Sequence, residues 1–509
     1  MLETLNAIDS FVWGPPLLVL LVGTGIMLTI RLGLLQVLKL PQALKLIFCA
    51  KNDGHGDVNS FKALCTALAA TVGTGNIVGV ATAIKAGGPG ALFWMWLACA
   101  KNEGHGDVNS FKALCTALAA TVGTGNIVGV ATAIKAGGPG ALFWMWLAAF
   151  FGMATKYAEC LLAVKYRTVD ANGNISGGPM YYIQNGLGKQ YKPLAIMFCV
   201  FGIMCAYFGV GTFAQVNSIV EITKISVGIP VIYTGIALTV LVAAVTIGGL
   251  KSISNVSSKV VPGMAVIYFF TTLGILVSFA DQVPGAIALV IESAFTTTAA
   301  QGGFLGATVM LAMRNGVARG VFSNESGLGS APIVAAAAKT HWPAEQGLVS
   351  MTGTFIDTII ICTMTGLSLI VTGVWNGDLN GAAMTNAAFS SAFPAFGTWL
   401  LLVGLVLFAF TTILGWNYYG ERCVEYLMGV KAILPYRIGF IILVAVGPFL
   451  KLEEIWVMSD IVNGLMALPN LIALVALSGV VVAETKAYQQ HLKEESELVP
   501  AELAEETNH

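Results

Sequence analysis

Residues Thr116 to Ile134 read TALAATVGTGNIVGVATAI, an apolar run long enough to cross a bilayer but interrupted at its middle by Thr121-Val-Gly-Thr-Gly-Asn126. Two glycines, two hydroxyls and a carboxamide weaken a helix there and bring polar groups to mid-bilayer depth. In hydrocarbon every backbone N–H and C=O must be satisfied, so an unwound stretch persists only where it is buried in protein or lines a cavity. A half-helix opening at Gly123-Thr124-Gly125-Asn126 aims amides at an anion, and carbonyls freed just before it can ligate a cation. Taken alone, the segment could instead be a Gly-x-Gly packing notch between two helices.

The rest of the chain supplies the membrane. Its 509 residues are 56% hydrophobic and 10% charged, with a mean hydropathy of +0.79; soluble domains carry about a quarter charged residues. The composition gives an all-α polytopic membrane protein whose solvent is the lipid bilayer. A net charge of -1 leaves no basic face for a nucleic acid. The nine cysteines stand mostly singly in apolar runs, as at Cys199, Cys205 and Cys362, and read as small buried hydrophobes. Met1 to Leu20 has no basic stretch followed by a small-residue cleavage site, so the first apolar run is expected as a retained helix.

At about 20 apolar residues per crossing, eleven spans are expected, near 12–34, 113–134, 139–164, 193–222, 229–249, 259–280, 284–313, 345–374, 397–427, 434–450 and 455–483. One set of alternate loops collects Arg31, Lys39, Lys45, Lys51, Lys156, Lys165, Arg167, Lys189, Lys192, Lys251, Lys259, Arg314, Arg319, Lys339, Arg422, Lys431 and Arg437. The other holds little beyond Lys135, Lys224 and Lys451. That bias puts the amino terminus outside and the carboxyl terminus in the cytoplasm. Residues 1–485 form the transmembrane domain, and 486–509 a polar, Glu-rich cytoplasmic tail expected to be disordered.

Residues 49–98 and 99–148 are the same fifty letters, differing only at Asp53 against Glu103. The first copy ends in ALFWMWLACA and runs into polar KNEGHGD, so its second helix is too short to span. The second copy continues through FFGMATKYAECLL and is the one in working context. A single extra span in the first copy would invert everything downstream, against the charge pattern, so that copy adds zero or two crossings or is an artefact of the gene. Solenoid repeats would need at least three units.

A second interrupted span is expected in ESAFTTTAAQGGFLGATV, with Gly302-Gly303-Phe304-Leu305-Gly306 at its middle. Paired breaks at matching positions in two halves point to an inverted-repeat transporter with its site at the midplane. In FAFTTILGWNYYGER, Phe408, Thr411 and Thr412 share one helix face and offer a carbonyl and two hydroxyls, oxygens that suit a hard cation; the same hydroxyls can bond back to their own helix. Trp416 walls a small pocket or anchors at the interface. Asp357, Glu292 and Glu159 are ionisable groups inside spans and hence functional candidates. Asp357 could relay protons or ligate sodium, or serve a hydrogen-bonded structural role. Gln215 offers an uncharged donor and acceptor at mid-helix. The histidines do not cluster with other ligands, and no HExxH, GxSxG or Walker A sequence is present, which disfavours an enzyme or an ATP-driven pump.

ALAATVGTGNIVGVATAI, GGPG at 137–140, WMWLAAFFGMATKYAE, GGPMYYI at 177–183 and FSNESGLGSAP at 322–332 closely resemble the alanine or glycine:cation symporter family, also called sodium:alanine symporters. The likeness covers nearly all of 12–483. It implies a leucine-transporter-like fold, with a five-plus-five inverted repeat preceded by one extra N-terminal helix. It also implies roles. The amides of Thr124 and Gly125 would hold a substrate carboxylate; Asn126 and the Thr121 carbonyl would help hold a cation beside it. The Ala119 and Val122 carbonyls with Thr411 and Thr412 would form a second sodium site. Trp416 and Gln215 would line the substrate pocket, and by looser matching Phe304 would join the pocket and Thr298 the cation site. Family members lack the tandem copy, so Thr71 to Asn76 receive no role.

The implied function is sodium-coupled symport of small neutral amino acids, alanine or glycine, across the plasma membrane by alternating access. Na+ is the co-transported ion. A proton-coupled symporter using Asp357 and a passive amino-acid channel are the alternatives.

Overall fold

A computed structural model of the chain describes residues 2–48, 106–295, 309–450 and 452–506. The first copy of the duplication, with Thr71 to Asn76, lies outside the described residues, as does the glycine-rich stretch 302–306. The described chain is almost wholly helical, as apolar runs with internally satisfied backbones must be in a bilayer.

Helices α1 (Leu2–Val12), α2 (Pro15–Arg31) and α3 (Leu40–Phe48) precede the break quoted above. That break separates α4 (Ser110–Thr121) from a π turn at Gly125–Gly129 and α5 (Val130–Gly137). The two halves bend by 50°. Asn109 caps α4 by accepting from the Lys112 amide at 2.7 Å. Gly138, at φ 72°, ends α5, and Pro139 leads straight into α6 (Gly140–Lys165).

Next come α7 (Lys192–Phe208), α8 (Phe213–Val227), α9 (Val231–Thr246), α10 (Gly249–Ser278) and α11 (Val283–Phe295). The second half holds α12 (Val309–Asn324), α13 (Ala331–Ala335), α14 (Pro343–Thr354), a π segment at Phe355–Cys362, α15 (Thr363–Val371), α16 (Gly381–Ala392), α17 (Gly397–Met428), α18 (Ile433–Val446) and α19 (Leu452–Glu506).

Eight helices among the described residues are long and apolar enough to cross a membrane, and the bent α4–α5 pair makes a ninth if it is one span. The expected spans at 229–249 and 284–313 are not among these: α9 is apolar but short, and α12 runs on to Asn324 instead of ending near 313.

Two short strand pairs tie the ends of the helices together. Strand β1 (Val108–Asn109), just before α4, pairs in parallel with β4 (Ala338–Lys339), just after α13. Strands β2 (Thr168–Val169) and β3 (Ile175–Ser176) form a hairpin between α6 and α7. Arg167 donates to the Ala336 and Ala338 carbonyls at 2.9 and 2.8 Å, bringing the end of α6 to the same corner. Large apolar side chains line outward stripes, such as Ile232 and Ile236 on α9 and Leu434, Ile438 and Ile442 on α18. That pattern suits lipid contact.

Helix α19 separates the two ends of the molecule. At one, Arg319 forms a two-pronged ion pair with Asp460 at 2.9 and 2.7 Å, Trp13 donates to the Asp460 carbonyl at 2.9 Å, and Arg314 pairs with Asp9 at 3.4 Å. At the other, Lys165 meets Glu484 at 2.5 Å. The 24 residues between Asp460 and Glu484 span about 36 Å of helix. Arg314 and Arg319 therefore lie at the end opposite Lys165, Arg167 and Lys339, with which the charge reading had grouped them. The reason is that the turn between expected spans falls elsewhere: α12 begins, rather than ends, beside these arginines.

Candidate functional site

The break after α4 is built from its own backbone and one side chain. The Val122 amide still donates to the Leu118 carbonyl at 2.8 Å, but the Gly123 amide leaves the helix and donates to Asn126 Oδ1 at 2.9 Å. The Asn126 amide closes the turn on the Gly123 carbonyl at 3.2 Å. The Ala119 carbonyl thus loses the amide four residues on that an unbroken helix would supply. The first amides of the following half-helix have no preceding turn to bond to.

The surroundings press on this turn so closely that glycine is required. A Cβ on Gly123 would stand 2.4 Å from Thr412 Oγ1 and 3.6 Å from Gln215 Oε1. One on Gly125 would stand 3.2 Å from Ser323 Cα and 3.3 Å from the Phe322 ring. Helices α17, α8 and α12 therefore meet at the break.

Asn126 is anchored from behind by Asp357, in the π segment after α14. Its Nδ2 donates to Asp357 Oδ1 at 2.8 Å and to the Asp357 carbonyl at 3.1 Å. Asp357 Oδ2 accepts from Ser323 Oγ at 2.9 Å and Thr358 Oγ1 at 2.8 Å. Asn126 and Asp357 are fully buried, and Ser323 nearly so.

Ser323 belongs to a second interruption, between α12 and α13, which the sequence reading quoted only as a motif. Asn324 to Ser330 is buried throughout, and three of its residues have positive φ: Glu325 at 55°, Gly327 at 88° and Gly329 at 84°. Asn324 donates to Thr358 Oγ1 at 3.0 Å and accepts from the Ser326 amide at 2.9 Å. Ser326 and Thr354 hydroxyls lie 2.9 Å apart. Glycines and small polar residues within an apolar setting were the available signal, the same one that marked Val-Gly-Thr-Gly-Asn.

The sequence-expected residues assemble as follows. Ala119, Thr121, Val122, Thr124, Asn126, Gln215, Thr411, Thr412 and Trp416 are all buried. Gln215 and Thr412 face Gly123 directly, as the close approaches show. The Thr411 hydroxyl donates to the Leu407 and Phe408 carbonyls at 3.0 and 3.1 Å, and Thr412 to the Phe408 carbonyl at 2.9 Å. Both hydroxyl oxygens keep lone pairs for another ligand. Thr121 Oγ1 bonds only weakly back to the Leu118 carbonyl, at 3.4 Å. Thr298 and Phe304 lie outside the described residues.

Of the ionisable candidates, Asp357 lies at the break, Glu159 is buried in α6, and Glu292 is exposed on α11. The described cysteines 115, 160, 199, 205, 362 and 423 are buried and unpaired, as small hydrophobes.

The Trp416 indole is directed to Glu325 of the second break. Two buried atoms at the break, Thr124 Oγ1 and Gln215 Oε1, make no hydrogen bond, and neither do the polar atoms of Asn417 on α17. Native interiors rarely tolerate such groups without a ligand or water. Gln215 Oε1 and Thr412 Oγ1 lie beside the freed backbone groups of the turn. Among the described residues, no group of three or more His, Cys, Asp or Glu could hold a metal ion, so any cation there would rely on carbonyl and hydroxyl oxygens.

The sequence profile of the sodium:alanine symporter family matches residues 1–100 and again residues 97–501. The seam falls within the duplication. An uncharacterized transporter of Haemophilus influenzae is 53% identical over 491 residues, covering 96% of each chain. A sodium/alanine symporter of Methanococcus maripaludis is 46% identical, covering 96% of this chain and 98% of its own. A probable sodium/glutamine symporter of Bacillus subtilis is 33% identical, covering 95% and 90% respectively.

Proposed function

The chain belongs to the sodium:alanine symporter family, and from that premise we propose that it couples sodium entry to uptake of a small neutral amino acid, alanine or glycine. The family is one of transporters rather than enzymes, and the protein is a multi-pass protein of the plasma membrane. The observation that carries the reading is the pair of buried, unpartnered neutral groups, Thr124 Oγ1 and Gln215 Oε1, at the unwound turn at Gly123. Backbone dipoles and hydroxyls suit a zwitterion, and the tight walls suit a small side chain.

In this reading the amides of Thr124 and Gly125 receive the substrate carboxylate, with Gln215, Trp416 and, beyond the described residues, Phe304 around the rest of it. Sodium lies beside the carboxylate, against the Thr121 carbonyl and Asn126, with Thr298 contributing. A second sodium lies between the Ala119 and Val122 carbonyls and the hydroxyls of Thr411 and Thr412. Asp357 holds Asn126 in place and puts a carboxylate behind the break. Each ligand then raises the affinity of the other by the same factor, as linkage requires. Eleven spans in a five-plus-five inverted repeat after one extra helix, with the amino terminus outside and the carboxyl terminus in the cytoplasm, would let one bundle rock about the site.

Uptake of labelled alanine into proteoliposomes, with and without an inward sodium gradient, tests this for the full chain and for a version lacking 49–98. Sodium-driven accumulation is expected. Accumulation by the shortened version alone means the duplication blocks this chain; accumulation driven by protons without sodium turns the reading to a proton-coupled symporter. Equilibration without accumulation makes it a passive channel. Failure with both alanine and glycine overturns the substrate assignment.

A further inference from the structure

The second break packs against a set of ionisable groups that the transport reading does not use. Lys156 and Glu159 sit one turn apart on α6, 3% and 0% exposed, and Glu325 in the break is 1% exposed. Lys156 acts electrostatically on both carboxylates. Asn470 of α19 bridges the region, donating through Nδ2 to Glu159 Oε1 at 2.5 Å and to the Gly327 carbonyl at 2.9 Å. Its Oδ1 accepts from the Tyr182 hydroxyl. Ser330 Oγ donates to Glu325 Oε2 at 2.6 Å.

Two features leave this network incomplete. Lys156 Nζ and Glu159 Oε2, both buried, make no hydrogen bond, and no ion pair joins Lys156 to either carboxylate. Two carboxylates of the cluster stand against one ammonium, and Asp357 is a third within reach of the Lys156 charge, so negative charge is left over in a region closed to water. Burying an uncompensated charge is among the largest penalties a fold can meet, and a group so placed normally neutralises itself. Asp357 differs, because its oxygens are matched by three donors, from Asn126, Ser323 and Thr358.

The remaining neighbours do not supply the missing charge. Around Glu325 stand Cys205 of α7, Trp416 and Tyr419 of α17, and Asp357; around Glu159 stand Tyr182, Cys160 and the backbone amides of Gly327 and Gly329. None is a cation. Nor do the described residues form a metal-binding cluster here.

We propose that the Lys156–Glu159–Glu325 cluster at the second break binds one exchangeable proton, carried on Glu159 Oε2. The proton comes from solvent and converts one carboxylate to the acid, with no other bond made or broken. One positive and one negative charge then remain within the cluster, while the Asp357 carboxylate is met by its own three donors. The proton's presence is independent of what the chain transports; its movement during a transport cycle rests on the symporter reading above.

Infrared spectroscopy of the purified full chain in lipid at neutral pH, without substrate, tests the site directly. A protonated-carboxyl C=O stretch that shifts on exchange into D2O is expected. Charge balance predicts that Glu159→Gln and Glu325→Gln each abolish that band, because either leaves Lys156 paired with a single carboxylate. Lys156→Met should double its intensity, since both acids must then be neutral, which is an outcome misfolding would not mimic. Absence of the band in the wild type, or its persistence in both glutamine variants, overturns the proposal, as does a band that never exchanges. Failure of alanine uptake would leave these readings unaffected.

Discussion

The two breaks use one backbone device for different ends. At Gly123–Asn126 the chain unwinds beside neutral groups with the Asp357 carboxylate behind it, and the polar atoms left without partners belong to Thr124 and Gln215. At Asn324–Ser330 it unwinds through three positive-φ residues among Lys156, Glu159 and Glu325. The first interruption is held open by one carboxamide, Asn126, tied to Asp357. The second is held by side chains from four elements. The lesson is that a gap in a helix is only a supply of amides and carbonyls; the walls around it decide whether it recognises a neutral molecule or stores charge. The hydrogen bond from Ser323 to Asp357 joins the two.

The largest expected effect attacks the second break. Gly329 has φ 84°, and a Cβ there would stand 2.7 Å from Pro179 Cγ, 2.8 Å from the Phe198 ring and 3.0 Å from Asn470. Gly329→Ala combines left-handed strain with overpacking, about 3 kcal/mol or more together. It should leave little folded protein in the membrane, read by fluorescence size-exclusion chromatography; a wild-type profile would show the second break to be soft.

Gly123→Ala comes next and should spare the fold more than the function. The new methyl would stand 2.4 Å from Thr412 Oγ1. An overpacking cost of about 1–3 kcal/mol, felt at the binding site, corresponds to roughly a 5- to 150-fold loss of alanine affinity. Adding Thr412→Ala should recover part of the packing but not the sodium response. If Gly123→Ala transports normally, the first break is not the binding site and the contrast drawn above collapses.

Thr412→Ala alone should lower sodium affinity by about tenfold, the order of one lost polar contact, while substrate binding at saturating sodium persists. Sodium titration of uptake measures this, and unchanged sodium dependence would remove Thr412 from the cation site.

The smallest effect lies outside both breaks and calibrates them. Asp170, in the β2–β3 hairpin, accepts from the Asn172 and Asn174 amides at 2.8 and 2.9 Å and pairs with Arg422 at 3.4 Å. Burial pushes its carboxyl up, but these amides and the Arg422 charge outweigh that and hold it below the usual aspartate value. A depressed folded value means stabilisation that is present above the ordinary aspartate range and lost as pH falls through the depressed value. Thermal unfolding should therefore drop slightly more steeply in acid for the wild type than for Asp170→Asn. Equal slopes would show that the hairpin does not feel its charge.

Much of the first break was legible from residues alone. A Val-Gly-Thr-Gly-Asn run in an apolar span conflicts with helix propensity, and such conflicts mark function in membranes. Gln215 and Thr412, polar residues in apolar helices, stood out in the same way, and both face Gly123. The second break was harder. Its letters, Asn-Glu-Ser-Gly-Leu-Gly-Ser, resemble a loop after a span, and α12 runs to Asn324, past the expected end at 313. Only the packing of α12 on α6, where a Cβ on Gly316 would meet the Ala141 carbonyl at 2.3 Å, reveals that this polar stretch is interior.

By itself the sequence determined that this chain crosses a membrane many times, interrupts one span at Gly123 and belongs among transporters. Apolar length, backbone satisfaction and glycine chemistry are local properties, and local letters carry them. Tertiary structure decided that Asp357 anchors Asn126 from 231 residues away, that Arg319 faces Asp460 rather than the Lys165 end, and that Lys156 shares its interior with two carboxylates. Those depend on which helix faces meet, and hydrogen bonds and charge balance act across distances the order of residues does not encode.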